Sequence, residues 1–446
     1  MKNPSLILIS PYPKRGTLYN KTHGIVSFAK NTVTSIYPHM KKLDKSIVVI
    51  ADKTSHAETY AEKGVYVERA FEKNKFSMYL EIFKKLLKYN KTKDLLVEFD
   101  FSLYGDFYVV SLFPFFLLFL KLLGYRTNLV LHAVILDLKK IGPHLGYGND
   151  LLSKVKIQIF TMCIKVFYLL FSFTTQKIII LENAFVAELK KINPRAKIVF
   201  VPHGVDLPHR QISYLEARKK LGFTKNEFVA TSFGFVVWYK GADFLVNNFS
   251  KSLTIAGKKI KFILAGGKTP PLASKQYYKE YYAKISRKIQ KSKNIKLTGF
   301  VDEKDISTYY AASDLMIFPY RAFMAASGPL SFALSYKKPF ILSDNFRDIK
   351  KNIEFSDAMI KANLTDKDIF FPMTKKGIVT SIKNFQNPQK MKNMKYFSKR
   401  LYKQYTWKKL GKLWYENIIE DNKFYSQSLH KSFIKLNSLL SRHNYT

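Results

Sequence analysis

Two segments of this chain carry residue types and spacings suited to holding an anion. In FGFVVWYKGADFLV a strand-like run ends at Gly234, the next loop presents Lys240, and Gly241 leads into a helical stripe of Phe244, Leu245 and Phe249. A glycine admits a ligand close to the backbone, the first turn of a helix offers free N–H groups, and a lysine adds a compact positive charge. Together these suit a diphosphate, although the same residues also fit an ordinary strand-to-helix turn with a solvated lysine. Ser327-Gly328-Pro329 repeats the theme, with the Ser327 hydroxyl as N-cap and Pro329 just inside the helix. Capping alone explains that second segment without a ligand.

Such loops need strand ends to stand on, and the block from 295 to 344 supplies them repeatedly. It reads as a strand ending at Gly299, an acidic-capped helix, a strand closing on Pro319, and a helix opened by Ser327 and Gly328. In an open α/β sheet, ligands sit beyond such strand ends. Strands are expected near Leu6–Ser10, Ser46–Ala51, Leu95–Glu98, Leu129–Val134, Lys177–Leu181 and Lys197–Val201. The pattern restarts with Phe228–Phe235, Lys261–Ala265, Ile295–Thr298, Leu315–Phe318 and Phe340–Ser343. Helical spacing between these runs argues for parallel βαβ units, hence an α/β fold with two doubly wound sheets. Pro202–Asn226 reads as the linker, and Met391–Ile419 as one or two terminal helices. The expected domains are 1–203, 204–388, terminal helices over 389–422 that pack back on the first domain, and a tail over 423–446.

A chain of 446 residues with 47% hydrophobic content fills two cores rather than one. Its 74 Lys and Arg against 33 Asp and Glu give a net charge of +41. That attracts anionic partners, or reflects lysines spread over solvated faces. Neither an aromatic RNP motif nor a zinc finger accompanies the charge, so no nucleic acid is expected. The single Cys163 excludes an intramolecular disulfide framework and a cysteine metal site, and fits a reducing, cytosolic setting. Leu6–Ile9 is too short for a signal peptide and reads as a first strand. Phe107–Leu120 and Ile157–Phe173 fall short of an uninterrupted spanning segment. Buried core helices are expected there, with helices resting on a membrane surface as the alternative.

The order VPHGVD, FGFVVWYKGADFLV, KFILAGG, LTGFVDEKDISTYYAASDLMIFPYR, SGPLSFAL and KKPFILSD resembles the carboxy-terminal domain of group 1 glycosyltransferases with the GT-B fold. SPYPKRG with Gly24-Ile25, VEFDFSLYG and LVLHAV resemble the family's amino-terminal half, and the likeness runs to roughly Asn422. The resemblance implies two Rossmann-like domains facing a cleft, with C-terminal helices. It implies transfer of a sugar from a nucleotide-activated donor, usually with retention and normally without a metal. The leading reading is a hexose passed from a UDP- or GDP-hexose to a glycan or lipid-linked oligosaccharide, because a cationic surface and apolar helices suit a membrane-resident anionic acceptor. Lys240 matches the lysine on the donor diphosphate, Ser327 and Gly328 the turn at the sugar-phosphate, and Gly24 a glycine that approaches the diphosphate. His132 matches a histidine near the reacting sugar, the catalytic candidate; a strand-end histidine bonded to backbone is the other reading. Arg321 faces the donor or forms a structural ion pair, and His203 reads as a hinge-strand residue rather than a catalyst.

Two departures accompany the match. The family's usual pair of glutamates aligns with Met324 and Phe332, or with Ala325 and Ala333, depending on whether Pro339 or Gly328 anchors the alignment. Neither choice recovers a carboxylate, and a branch with a Ser-Gly turn in place of the first glutamate is the one this chain resembles. Phe235, Val236 and Val237 stand where an arginine commonly joins the lysine. Two function classes follow: a glycosyltransferase in peripheral contact with an anionic membrane on its cytoplasmic face, or a catalytically impaired GT-B scaffold that binds a glycan or a partner.

Overall fold

The computed structural model describes residues 3–18, 24–205 and 211–419. Residues 206–210 of the expected linker, 420–422 of the terminal-helix segment and the 423–446 tail lie outside the described residues. Aliphatic runs form the strands, and most are followed by a helix that buries one apolar stripe, which lays successive strands parallel.

The first sheet contains β1 (Leu6–Ile9), β2 (Ile47–Asp52), β3 (Glu58–Glu62), β4 (Val65–Phe71), β5 (Asp94–Phe99), β6 (Arg126–Leu131), β7 (Lys177–Ile180) and β8 (Ile198–Phe200). Their order is β3-β4-β2-β1-β5-β6-β7-β8, antiparallel only in the β3–β4 hairpin. The second sheet contains β9 (Glu227–Phe233), β10 (Thr254–Ile255), β11 (Lys258–Ala265), β12 (Ile295–Leu297), β13 (Leu315–Phe318), β14 (Phe340–Ser343) and β15 (Phe370–Phe371). Its order is β10-β11-β9-β13-β14-β15, with β12 also paired to β11. In each sheet the chain order reverses once, between β1 and β5 and between β9 and β13. Helices leave those strands on opposite faces, and a crevice opens at their carboxyl ends.

One face of the first sheet packs Leu6, Leu8 and Val49 against the Ile25–Lys41 helix and the Trp407–Ile418 helix, whose Trp414 is fully buried. The other face packs Ile7, Val97 and Phe99 beneath the Ser77–Lys88, Phe113–Leu122 and Leu151–Thr174 helices. The second core takes in Met394, Phe397 and Leu401 of the Pro388–Tyr405 helix. The chain therefore crosses between the sheets twice, and the crossings touch. Val205 N–H donates to the Tyr405 carbonyl at 2.7 Å, and a Cβ on Gly204 would meet the Trp407 ring at 2.3 Å.

The β3–β4 hairpin is absent from the sequence reading because charged residues interrupt its apolar pattern. Both charges are buried and answered: Glu68 accepts from Lys88 and Tyr89, and the Arg69 guanidinium donates to the carbonyls of Tyr12, Pro13 and Asp52. The expectation of buried core helices needs correction. The Leu151–Thr174 helix starts earlier than Ile157, at an Asp150 N-cap that accepts from Ser153 N–H, and it buries only Ile157, Tyr168, Phe171 and Thr174. By length and composition alone it is apolar enough to cross a membrane. Phe113–Leu122 likewise buries one side and exposes Phe115, Leu118, Phe119 and Leu122.

The two helices on the inner face of the first sheet meet almost backbone to backbone. A Cβ on Gly411 would lie 2.3 Å from the Ser35 carbonyl oxygen, and backbone cannot swing aside as a long side chain can. Gly411→Ala is expected to lower the urea unfolding midpoint by an amount worth about 1–3 kcal/mol. An unchanged midpoint would mean that the helices are not packed this closely.

Candidate functional site

The crevice of the second sheet is shaped by close backbone approach. Gly234, just past β9, has φ 117°, in the left-handed half of the map that only glycine occupies readily. A Cβ on Gly266 would fall 1.8 Å from the Gly234 carbonyl oxygen, and one on Gly241 2.0 Å from that of Pro319. The loops after β9, β11 and β13 are thus pressed together. A Cβ on Gly234 would lie 2.8 Å from Lys240 Nζ and 3.2 Å from Pro329 Cγ, so this bare backbone sits between the ammonium and the start of the Gly328–Ser335 helix.

Lys240 is half-buried and has no ion-pair partner among the described residues; the nearby groups are the Tyr239 and Tyr320 rings, 5.9 and 5.6 Å away. Burial pushes its ammonium down to about 8. Beside it the Ser327 hydroxyl caps the helix, accepting from Leu330 N–H at 3.3 Å, with Pro329 in the first turn. Gly328 has open space where a side chain would stand. A lone cation, a helix amino terminus and exposed glycine backbone converge on one spot. That set is complementary to a phosphate group.

Arg321 is committed to the ion-pair reading. Its guanidinium makes two 2.8 Å bonds to the Asp243 carboxylate and lies 4.6 Å from the Trp238 ring, while its own N–H donates to the Tyr239 carbonyl. It clamps the loop that carries Lys240 onto the loop after β13. Of the two readings the sequence leaves open for Arg321, the ion pair is the one seen in the fold.

Across the cleft, His132 stands just past β6 and is buried. Its partner is a side chain, not backbone: Nε2 lies 2.7 Å from Glu98 Oε2 at the end of β5. The carboxylate fixes the ring and leaves Nδ1 as the nitrogen turned away from it. Phe28 packs edge-on against the ring at 4.7 Å. Gly24 caps the Ile25–Lys41 helix in ordinary right-handed geometry, and no atom of the described residues lies within 4 Å of an added Cβ. His144 meets the second domain directly, its ring 5.0 Å from Tyr239, and burial followed by the Lys240 charge lowers it to about 4. Asp100, just past β5, is among the charges holding the Tyr239 hydroxyl above the usual phenol range, after burial and Tyr320.

The segment lacking the expected glutamates is part of the contact between the sheets. Val134 N–H donates to the Met324 carbonyl at 2.7 Å, Ala133 and Ala325 form an antiparallel bridge, and Ala322 and Met324 pack with Leu138, Ile141 and Ile157. Apolar residues stand here because the turn is wedged against the first domain. Among the described residues no three His, Cys, Asp or Glu side chains gather as a metal site would require.

Residues 213–354, which contain this crevice, match the sequence model of the glycosyl transferases group 1 family. The chain carries a group 1 glycosyltransferase domain in a GT-B fold. Sucrose-phosphate synthase from Thermosynechococcus elongatus superposes with a TM-score of 0.66 at 11% identity, over 97% of this chain and 100% of that one. The Anabaena protein HepE, in complex with UDP and glucose, gives 0.60 at 14% identity, over 92% and 98%. WaaG, a glycosyltransferase involved in lipopolysaccharide biosynthesis, gives 0.57 at 13%, over 93% and 100%. At such identities the likeness is one of fold. No curated protein matches the chain by sequence.

The hinge holds His203, which the sequence places on a hinge strand, and Glu182, which sequence reasoning missed. His203 bonds Nδ1 to the Gly204 carbonyl at 2.6 Å, packs near Phe28 and Trp407, and is driven down to about 4 chiefly by burial. With Ser327 and Glu182 it lines a cavity of about 50 Å³. Glu182 accepts from Asn352 Nδ2 at 2.7 Å, and Asn352 Oδ1 accepts from Asn183 N–H at 3.0 Å, so this carboxylate ties the two domains. Glu98 and Glu182 could have been found in the sequence as carboxylates closing apolar strands. His144 could not, since its position depends on the other domain.

Burial raises Glu182 to about 7. A carboxyl with a raised folded pKa stabilises the fold most below its unfolded value, and that stability is lost as pH rises through the folded value. Between pH 5.5 and 8.5 the wild type is therefore expected to lose about 2 kcal/mol relative to Glu182→Gln, which keeps an acceptor for Asn352. Urea unfolding at both pH values measures it; a gap that does not change with pH would contradict this placement of Glu182.

Proposed function

We propose that this protein transfers a hexosyl group from a UDP- or GDP-hexose, with retention, to a hydroxyl of a glycan or lipid-linked oligosaccharide. The observation that carries the reading is the Lys240 ammonium, without a carboxylate partner among the described residues, between Gly234 and the amino terminus of the Gly328–Ser335 helix. In the reaction the bond between C1 and the diphosphate oxygen breaks while the acceptor oxygen bonds to C1. The acceptor's proton is taken up by the departing phosphate or by solvent. Charge therefore builds on the leaving diphosphate, where Lys240 and the helix N–H groups would meet it. On the first domain the His132–Glu98 pair is suited to orient the sugar. HepE, solved with UDP and glucose, supports a uridine nucleotide as the first donor to try.

A second reading, a GT-B protein that binds without turning over, draws on the bridge between Ala133 and Ala325 at the place expected of a glutamate. Turnover separates the two. Under the enzyme reading Lys240→Ala is expected to lower kcat by roughly 10²–10³-fold with the fold intact, as removal of one preorganised charge contact does elsewhere. Wild-type protein inert toward every UDP- and GDP-hexose, yet stabilised by a glycan, would favour the scaffold.

The lysine also imposes a pH dependence. With the free ammonium at about 8, binding a diphosphate above that pH must take up a proton, so affinity for an intact nucleotide-sugar should fall by up to tenfold per pH unit. Calorimetric titrations from pH 7 to 9.5 read this slope. It should vanish in Lys240→Met, and its persistence there would assign it to another group.

A further inference from the structure

The outer layer of the first domain is apolar where a free-standing surface should be polar. The Phe113–Leu122 and Leu151–Thr174 helices pack side by side on the same sheet face, so the sides opposite their buried stripes face away from the protein together. Phe115, Leu118 and Leu122 of the first and Ile159, Met162 and Val166 of the second are exposed there, Leu122 by 78% and Met162 by 69%. A continuous patch of this kind marks a binding face rather than scattered surface leucines.

The charges say what covers it. Neither helix contains an Asp or Glu; Asp150 at the cap of the second feels the charge of Lys156, but none of the exposed Lys121, Lys154, Lys156 and Lys165 along them forms an ion pair among the described residues. At the far end of the same face Lys121, Arg195 and Lys197 line a groove of about 270 Å³. A second copy of this face would set lysine against lysine. Apolar side chains with flexible cations at the level of phosphate headgroups suit an anionic bilayer, into which the former sink while the latter reach the surface. The Leu151–Thr174 helix is long enough to span, but its Tyr168 and Phe171 cover the core around Phe99. Crossing would strip that core, so the helix lies along the surface instead.

We propose that this two-helix face docks the protein on anionic lipid membranes. The proposal is independent of donor chemistry, since it requires no turnover. Cys163 is the chain's single cysteine and is exposed on the proposed face, so an environment-sensitive fluorophore on it reports insertion in the otherwise native full-length protein. Its emission is expected to shift to the blue with phosphatidylglycerol-containing vesicles and not with phosphatidylcholine alone. In flotation at low salt, Leu118→Glu with Met162→Glu should weaken binding by more than about tenfold. Lys→Gln at 154, 156 and 165 should weaken it by about fivefold per residue. Circular dichroism and nucleotide binding check that these variants stay folded. Absence of flotation at low salt would overturn the proposal. So would flotation with an unshifted probe and full-strength Glu variants, which would assign binding to net charge elsewhere. A dimer that the Glu variants convert to monomer would make the face a self-interface and equally overturn it.

Discussion

An ammonium group held against protein without a counter-charge is poorly solvated, and the surroundings of Lys240 are arranged so that it cannot relieve this by moving away. Arg321 and Asp243 pin the loop that carries it, and Gly241 lets that loop close against the Pro319 carbonyl. Tyr239 and Tyr320 supply rings in place of carboxylates. Gly234 and the capped amino terminus of the Gly328–Ser335 helix stand opposite. Nearly every unusual local feature of the second crevice, including its positive φ values and its short backbone approaches, serves to hold positive potential open toward one point. A ligand that brings negative charge there relieves the lysine's desolvation as it binds.

The same point is reached from the first domain. The contact of His144 with Tyr239, the pairing of Val134 with Met324, and the link from Glu182 to Asn352 set the two sheets with their carboxyl ends facing. The hinge is doubled, because the returning chain at Tyr405 and Thr406 lies against Val205. The first crossing between the domains therefore packs directly against the start of the Trp407–Ile418 helix that covers the first sheet.

Much of this was legible in the sequence, for a definite reason. Strands such as Leu315–Phe318 and Phe340–Ser343 are buried on both faces and read as unbroken apolar runs, and the helix starts at Ser327 and Gly241 carry capping and glycine signals. The β3–β4 hairpin was hidden because Glu68 and Arg69 look like surface residues, and only their distant partners make them interior ones. The fate of Arg321 was undecidable from sequence, since Asp243 lies 78 positions away. The apolar residues in place of the glutamates looked like a loss. In the fold they are a contact surface, formed by Ala322, Met324 and Ala325 against the first domain. The long helices misled in the opposite sense, because hydropathy cannot tell a buried stripe from an exposed one.

The most direct measurement is a crystal structure of the full-length protein with an intact UDP-hexose. The diphosphate is expected between the two domains, with an oxygen at about 3 Å from Lys240 Nζ and another facing the backbone at Gly328. A nucleotide bound away from Gly234 and Pro329, with Lys240 still without an anion, would contradict this placement.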